Sequence, residues 1–340
     1  MILYRRKFFT KICGIDVSKS DLDICLFNKA TSKVELEISV SNTLDTIEGE
    51  FSTPEYDDTL FVLEHTGTYS SKIIHQLSSL NRPFSVIAPT KSKNFMSALG
   101  HTNKNDRQAA YALSRAGQML PLKLYKAPTK EMQKRKQILT TLKALQKQKS
   151  SVSNQIHALE QLPFIEEQAM TALKTVLQTL EGQIKPLEKS LYDASNDEKF
   201  NQKRKLASSV KGIGIKTAEA ILLVTNGLDD FSSASKVAKF LGLTPYSHES
   251  GSSIRKKGKI TKFGNSEVRS LLYMCTVSAI QYNLVCKELY ERIRQSGKPH
   301  KVAAVAVMHK LVKQVFVCVK NEVMFDNEYH LKNDKNSRLL

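Results

Sequence analysis

Lys11-Ile12-Cys13-Gly14-Ile15-Asp16-Val17 is a short apolar run carrying an acid near its end, and Ser18-Lys19 follows it. Its length and apolar character predict a strand with Asp16 at the carboxyl end. Leu22 to Phe27 (LDICLF) and Val34 to Val40 (VELEISV) repeat the pattern after short polar turns, so three strands follow one another. Leu60 to Leu63 (LFVL) and Phe84 to Ala88 (FSVIA) predict a fourth and a fifth. Between those two, Ile73, Ile74, Leu77 and Leu80 have helical spacing, which predicts a helix over 71–80. Three sequential strands and then β-α-β alternation predict a mixed α/β sheet flanked by helices. Asp106 to Gly117 reads as a short helix closed by its glycine.

The texture changes after Pro128. Ile138, Leu142, Leu145, Val152, Ile156 and Leu159 sit at three- and four-residue spacing amid Lys and Gln, and Pro163 interrupts them. Leu173, Leu177, Leu180, Ile184, Leu187 and Leu191 resume it, so two long helices with coiled-coil seams are expected. The seam is equally compatible with a self-contained antiparallel hairpin and with an oligomerisation arm. Pro186 should kink or break the second helix. A third, mainly helical section follows, with helices expected over 216–224, 235–241, 265–282 and 301–320. The domain boundaries expected are 1–122, a coiled-coil connection over 123–200, a C-terminal domain over 201–325 and a polar tail over 326–340.

The 340 residues include 51 Lys and Arg against 33 acids, a formal charge of +18. Such an excess repels itself in the compact state and points to a polyanionic partner. The excess concentrates between Lys203 and Arg269, with 13 basic and 5 acidic residues. No uninterrupted apolar run approaches the roughly 20 residues needed to span a bilayer, and residues 1–10 lack the features of a signal peptide. Cys13, Cys25, Cys275, Cys286 and Cys318 are odd in number, scattered and without zinc-ligand spacing. Buried, reduced thiols in a cytoplasmic protein without a membrane partner are therefore expected.

Three acids stand at informative places: Asp16, Glu64 in Leu63-Glu64-His65-Thr66-Gly67, and Asp106 at the start of a helix. Acids at the ends of neighbouring strands can converge, and hard oxygen ligands are what Mg²⁺ beside a scissile phosphate requires. The competing explanation is that each acid merely caps or solvates an element's end. In the basic section, Val210 to Ala218 (VKGIGIKTA) has the helix-hairpin-helix pattern. Gly212 and Gly214 permit close backbone approach to a phosphate, with Lys211 and Lys216 beside them. Further on, His248-Glu249-Ser250-Gly251-Ser252-Ser253 is a polar loop leading to Arg255, Lys256, Lys257, Lys259 and Lys262, a concentration of charge suited to a nucleic-acid backbone.

Together, Gly14-Ile15-Asp16-Val17-Ser18-Lys19, Glu64-His65-Thr66-Gly67, Lys104-Asn105-Asp106, the hairpin at 210–218, Leu243-x-Pro245 leading to Ser250-Gly251, and Ile260-Thr261-Lys262-x-Gly264-Asn265 with Arg269 resemble the DEDD-type insertion-sequence transposases. That group includes the Piv pilin-gene invertases and the bridge-RNA-guided recombinases. The resemblance implies a RuvC-like, ribonuclease-H-like N-terminal domain binding Mg²⁺ through Asp16, Glu64 and Asp106. It also implies a C-terminal transposase domain whose Ser250 joins covalently to cleaved DNA, with Ser252 and Ser253 as nearby alternatives. Lys211, Lys216, Arg255, Lys256, Lys257, Lys259, Lys262 and Arg269 would contact nucleic acid. The partners implied are DNA, a noncoding guide RNA in some members, and further copies of the chain in a dimer or tetramer.

One position departs from the family pattern. A second aspartate is expected three residues after Asp106, and this chain has Ala109 there. In an alternative register Asp106 is the last acid and Asn103 the altered residue. Either way a carboxylate is missing, which implies weaker metal binding and slower cleavage. Two rival functions follow from the same features: a junction nuclease that uses water instead of Ser250, and a non-enzymatic nucleic-acid-binding protein.

Overall fold

The computed structural model describes residues 9–100, 105–193, 197–246, 249–250, 254–255, 259–261 and 263–329. The chain divides into two compact units, the first ending at Ala127 and the second beginning at Pro128. In the first, β1 (Lys11–Val17), β2 (Asp21–Asn28) and β3 (Lys33–Ser41) form an antiparallel meander, and α1 (Leu44–Phe51) leads to β4 (Thr59–Glu64). Then α2 (Ser71–Ser79), β5 (Phe84–Ile87), α3 (Pro89–Ala98) and α4 (Asp106–Met119) complete the unit. The sheet order is β3-β2-β1-β4-β5, with β4 and β5 parallel to β1. This is the mixed sheet expected from the sequence.

Period-two alternation assigns the two faces of the sheet. Cys13, Ile15, Val17, Phe61 and Leu63 join Ile47 and Phe51 of α1 and Ile73, Ile74 and Leu77 of α2 in one core. Ile12 and Val62 face the other way, into a smaller core with Leu113 and Ala116 of α4. There the backbone of α4 approaches the strands unusually closely. A Cβ at Gly14 would lie 2.0 Å from the Ala110 carbonyl oxygen and 2.4 Å from the Ser114 amide nitrogen. At Gly117 it would lie 2.6 Å from Ile12 Cγ2 and 2.8 Å from Val62 Cγ2. Gly117 is therefore not the helix stop expected from the sequence. It lies inside α4, which runs on to Met119, and its missing side chain makes room for the strand residues.

The second unit opens with α5 (Lys130–Glu160) and α6 (Glu167–Tyr192), which pack against each other as an antiparallel hairpin. Lys149 pairs with Glu181 at 2.8 Å, and Gln146 Nε2 donates to Glu188 Oε1 at 3.1 Å. The second helix continues unbroken through Pro186. The chain continues as α7 (Glu198–Ser208), α8 (Ile215–Val224) and α9 (Ala234–Phe240), then four two-residue strands, β6 (Pro245–Tyr246), β7 (Glu249–Ser250), β8 (Ile254–Arg255) and β9 (Lys259–Ile260). It finishes with α10 (Ser266–Tyr282), α11 (Leu284–Gln295) and α12 (His300–Lys320).

One large core joins the hairpin base to these helices, bringing Leu139, Leu142, Ile184 and Leu191 together with Ala218, Leu222, Leu272 and Leu311. Among the described residues α12 alone is long and apolar enough to cross a membrane, although the sequence offered no uninterrupted run. Half of its apolar window is buried in this core. All five cysteines are buried and unpaired. Burial pushes the Cys13 thiol well up, raises Cys25 to about 11 and raises Cys286 to about 12. At neutral pH these groups are thiols, not thiolate ligands.

A buried ion cluster holds the hairpin base. Glu219 of α8 is fully buried, and it accepts from Arg135 Nε at 2.7 Å and from Arg204 Nη1 at 3.2 Å. Arg135 also donates to the Leu191 carbonyl at the end of α6, and Arg204 donates to the Asp193 carbonyl. Three helices thus meet on one carboxylate, and the arginines tie the end of α6 to them.

Two changes test these contacts. Gly14→Ala is expected to destabilise the first unit by roughly 1–3 kcal/mol, because the clash is with helix backbone and not a yielding side chain. Thermal unfolding of purified protein would reveal the loss, and an unchanged transition would refute the close seating of α4. Arg135→Met leaves a buried carboxylate with one partner fewer and should cost the second unit about 3–5 kcal/mol in denaturant titration.

Candidate active site and nucleic-acid surface

Asp16 and Glu64 come together through the parallel β1–β4 ladder. Its register pairs Ile15 with Leu63, and one step further sets Asp16 beside Glu64 at the carboxyl ends of both strands. Both share strand parity with Ile12, Gly14 and Val62, so both belong to the face that α4 covers. Gly117 lies over Ile12 and Ala110 over Gly14, so the helix runs antiparallel to β1 and its first residues reach toward the Asp16 end.

Asp106 is the first residue of α4 and shares a helical face with Ala110, one turn on. Asn105, not Asp106, caps the helix: its side chain accepts from the Gln108 amide at 2.7 Å. Capping therefore does not account for Asp106, and the helix N-terminus favours its negative charge. Glu64 makes no ion pair among the described residues.

The sequence reading missed Asp23, which is the cross-strand partner of Asp16 in the β1–β2 ladder and lies on the same face. Its signal was present: Asp23 falls at the polar phase of an alternating strand. Ala109 is buried, three residues after Asp106, and brings no oxygen to this end of the sheet. Asn103 lies outside the described residues. No group of three or more His, Cys, Asp or Glu among the described residues is close enough to hold a metal ion unaided. In kind, however, the acids at this end offer hard oxygen donors only.

The helix-hairpin-helix segment joins α7 to α8. Gly212 has φ of +100°, and a Cβ there would lie 2.7 Å from Ala279 Cβ on α10. Its glycine is thus demanded by packing within the protein. Asn283 Nδ2 ties the same turn down by donating to the Lys211 carbonyl at 3.1 Å. Gly214 is the exposed N-cap of α8 and supplies no side-chain cap, so the first amides of that helix remain available to an anion. Lys211 is exposed, whereas Lys216 pairs with Glu188 at 3.0 Å and sits over the Tyr192 ring.

The expected serine loop is a β-ribbon. Pro245 and Tyr246 pair with Ile260 and Lys259, and in a separate two-stranded ladder Glu249 and Ser250 pair with Arg255 and Ile254. Ser250 therefore lies in the second of these ladders, opposite Ile254. Lys256, Lys257, Lys262, Ser252 and Ser253 lie outside the described residues.

The base of the ribbon is clamped. The Thr261 amide donates to the Thr244 carbonyl at 3.2 Å, and Asn265 caps α10 by accepting from the Glu267 and Val268 amides. Gly264, at φ +137°, crosses the end of α9 where a Cβ would lie 2.3 Å from the Phe240 oxygen. Arg269 Nη1 donates to the Leu241 carbonyl at 3.0 Å, which gives this residue a structural partner.

Comparison with known proteins places this chain among transposases. A DEDD transposase model of the IS110 type matches residues 13–164, and the model described as "Transposase IS116/IS110/IS902 family" matches residues 204–291. The pilin gene-inverting protein of Moraxella lacunata is 26% identical over 333 residues, covering 93% of this chain and 98% of its own. The transposase for insertion sequence element IS1111A of Coxiella burnetii is 26% identical over 214 residues, covering 56% of this chain and 57% of its own. Among solved structures, Thermus thermophilus RuvC in complex with a Holliday junction substrate aligns with 34% of this chain and 99% of its own, at 11% identity and a TM-score of 0.27. The two family models take in both the acid-bearing strands and the serine ribbon, and the chain belongs to the IS110 family of transposases.

Proposed function

We propose that this transposase is a Mg²⁺-dependent DNA recombinase that cleaves and rejoins strands through a covalent Ser250–DNA phosphodiester. What carries the reading is the placement of Asp16 and Glu64 at adjacent parallel strand ends, under the helix that begins with Asp106. These three residues would hold the ion. Mg²⁺ is commonly held by one or two carboxylates plus substrate phosphate, so a site lacking three converged ligands fits if the DNA completes it. When bound, the ion would neutralise charge on the scissile phosphate and polarise it toward attack.

The Ser250 hydroxyl oxygen would form a bond to phosphorus as the bond from phosphorus to a deoxyribose oxygen breaks. The serine proton passes to a carboxylate of the acid-bearing face, and the departing oxygen takes up a proton. Reversal at a new deoxyribose hydroxyl rejoins the strand and restores the serine. Lys211, Lys216, Arg255, Lys256, Lys257, Lys259, Lys262 and Arg269 would hold the backbone, and the first amides of α8, beyond Gly214, would receive a phosphate. Strand exchange requires two ends held together, so the working species is a dimer or tetramer, with one copy's carboxylates serving another's serine. A noncoding RNA from the element would select the DNA.

Denaturing gels of protein incubated with Mg²⁺, element-end DNA and the RNA transcribed beside the gene should contain a protein–DNA adduct. Ser250→Ala should abolish it. Cleaved DNA without adduct, unchanged by that substitution, would instead identify a nuclease that uses water.

Ala109→Asp would supply the missing carboxylate at a buried position. Without divalent ion it should lower the melting temperature, because a buried charge lacks a partner. Added Mg²⁺ should raise that temperature more than it does for the parent chain, and cleavage should quicken. Equal Mg²⁺ responses would place the missing acid elsewhere.

A further inference from the structure

In the second unit, the outer side of α11 and α12 carries two adjoining hollows. One, of about 850 Å³, is lined by Val317, Met324, Phe325 and Tyr329 among others; its neighbour, of about 360 Å³, includes Leu289, Arg292 and Ala306. Val285, Lys310 and Lys313 line both. The larger lies within the roughly 300–1,000 Å³ typical of built ligand sites.

Along α12, Ala306, Lys310, Lys313, Val317 and Asn321 follow helical spacing and form one stripe. From Ala306 to Asn321 that stripe is about 22 Å long, the length of a helix of about 15 residues. Exposed apolar groups are concentrated here: Val317 is 48% exposed, Met324 54% and Tyr329 66%.

Charge selects the occupant. Arg292, Lys310 and Lys313 form no ion pair among the described residues. Against them the lining holds two acids, Glu288 and Asp326. Burial, with Lys313 close by, holds the His309 imidazole below its usual range, so it stays neutral at pH 7. The trough is therefore apolar at the end formed by Val317, Met324, Phe325 and Tyr329 and cationic where Arg292, Lys310 and Lys313 stand. The chain's own last residues have the wrong sign, with Lys332, Lys335 and Arg338 against Asp334. A lipid surface is flat and would not enter a concave trough, and a nucleic-acid backbone would leave much of the apolar end unmatched.

We propose that this trough docks an acidic amphipathic helix of a partner protein, its apolar stripe on Val317, Met324 and Phe325 and its carboxylates on Lys310, Lys313 and Arg292. The inference does not depend on the chemistry of Ser250.

The test uses the full chain and fluorescence anisotropy with a labelled helical peptide of about 15 residues, leucines along one stripe and glutamates elsewhere. The peptide should bind, and a scrambled peptide of equal composition should bind at least about tenfold more weakly. The Lys310→Glu, Lys313→Glu double variant should lose about tenfold or more for this peptide, and should gain affinity for a version with lysines replacing the glutamates. That gain on charge exchange cannot arise from misfolding. Equal binding of the scrambled peptide, or a double variant indistinguishable from the parent chain with both peptides, would overturn the proposal. So would full displacement of the peptide by a short oligo-dT that itself loses affinity in the double variant, because the trough would then be a nucleic-acid site.

Discussion

The seating of α4 on β1 and β4 is the constraint on which the candidate catalytic end depends. Helix and sheet can approach this closely only because Gly14 and Gly117 present no side chain at the two points of contact. The antiparallel passage of the helix over β1 follows from those contacts, and it carries Asp106 toward the strand ends that bear Asp16 and Glu64. A helix lifted by one methyl group would lose contact with Ile12 and Val62, and the first turn would move with it. Residues with no part in the chemistry thus set where the acids stand.

The second unit follows a related logic, fixing the bases of its projecting elements. The helical hairpin is held at its foot by Arg135, Glu219 and Arg204, a buried cluster that also takes up two backbone carbonyls. Its far end bears Phe164, 89% exposed. The serine ribbon is likewise clamped where it leaves α9 and enters α10, by Gly264, Asn265 and Arg269. A buried carboxylate with two guanidinium partners specifies geometry more than it adds stability, because desolvation offsets much of the attraction. The contacts at each base fix where the hairpin and the ribbon leave the core.

Much of this was legible in the chain. Short apolar runs bounded by polar turns located all five strands of the sheet, β1 to the residue, because strands covered on both faces need apolar residues at successive positions. The leucine seams located α5 and α6 by their helical period. The helices α1, α3, α7 and α11 were missed: each is short, and none has a long enough apolar face to rise above its surroundings. Gly117 was misread because a glycine near a helix end is more often a stop than a contact. Arg269 and Gly212 were read as nucleic-acid contacts, yet each also serves the protein's own packing. A basic side chain bonded to a carbonyl and one bonded to a phosphate look alike in sequence.

By itself, the sequence determined the mixed sheet, the two long helices, the cationic character and the family, since these are written in local periodicity, composition and motif. The tertiary structure alone decided that Asp16 and Glu64 share a face, that Asp23 joins them, and that Glu219 is buried between two arginines. It also decided that the serine segment is a clamped ribbon and not an open loop. Local preference acts over a few residues, whereas these features depend on strand register and close helix contact between segments far apart in the chain. Which distant backbones can touch is settled only by the volume of every side chain between them.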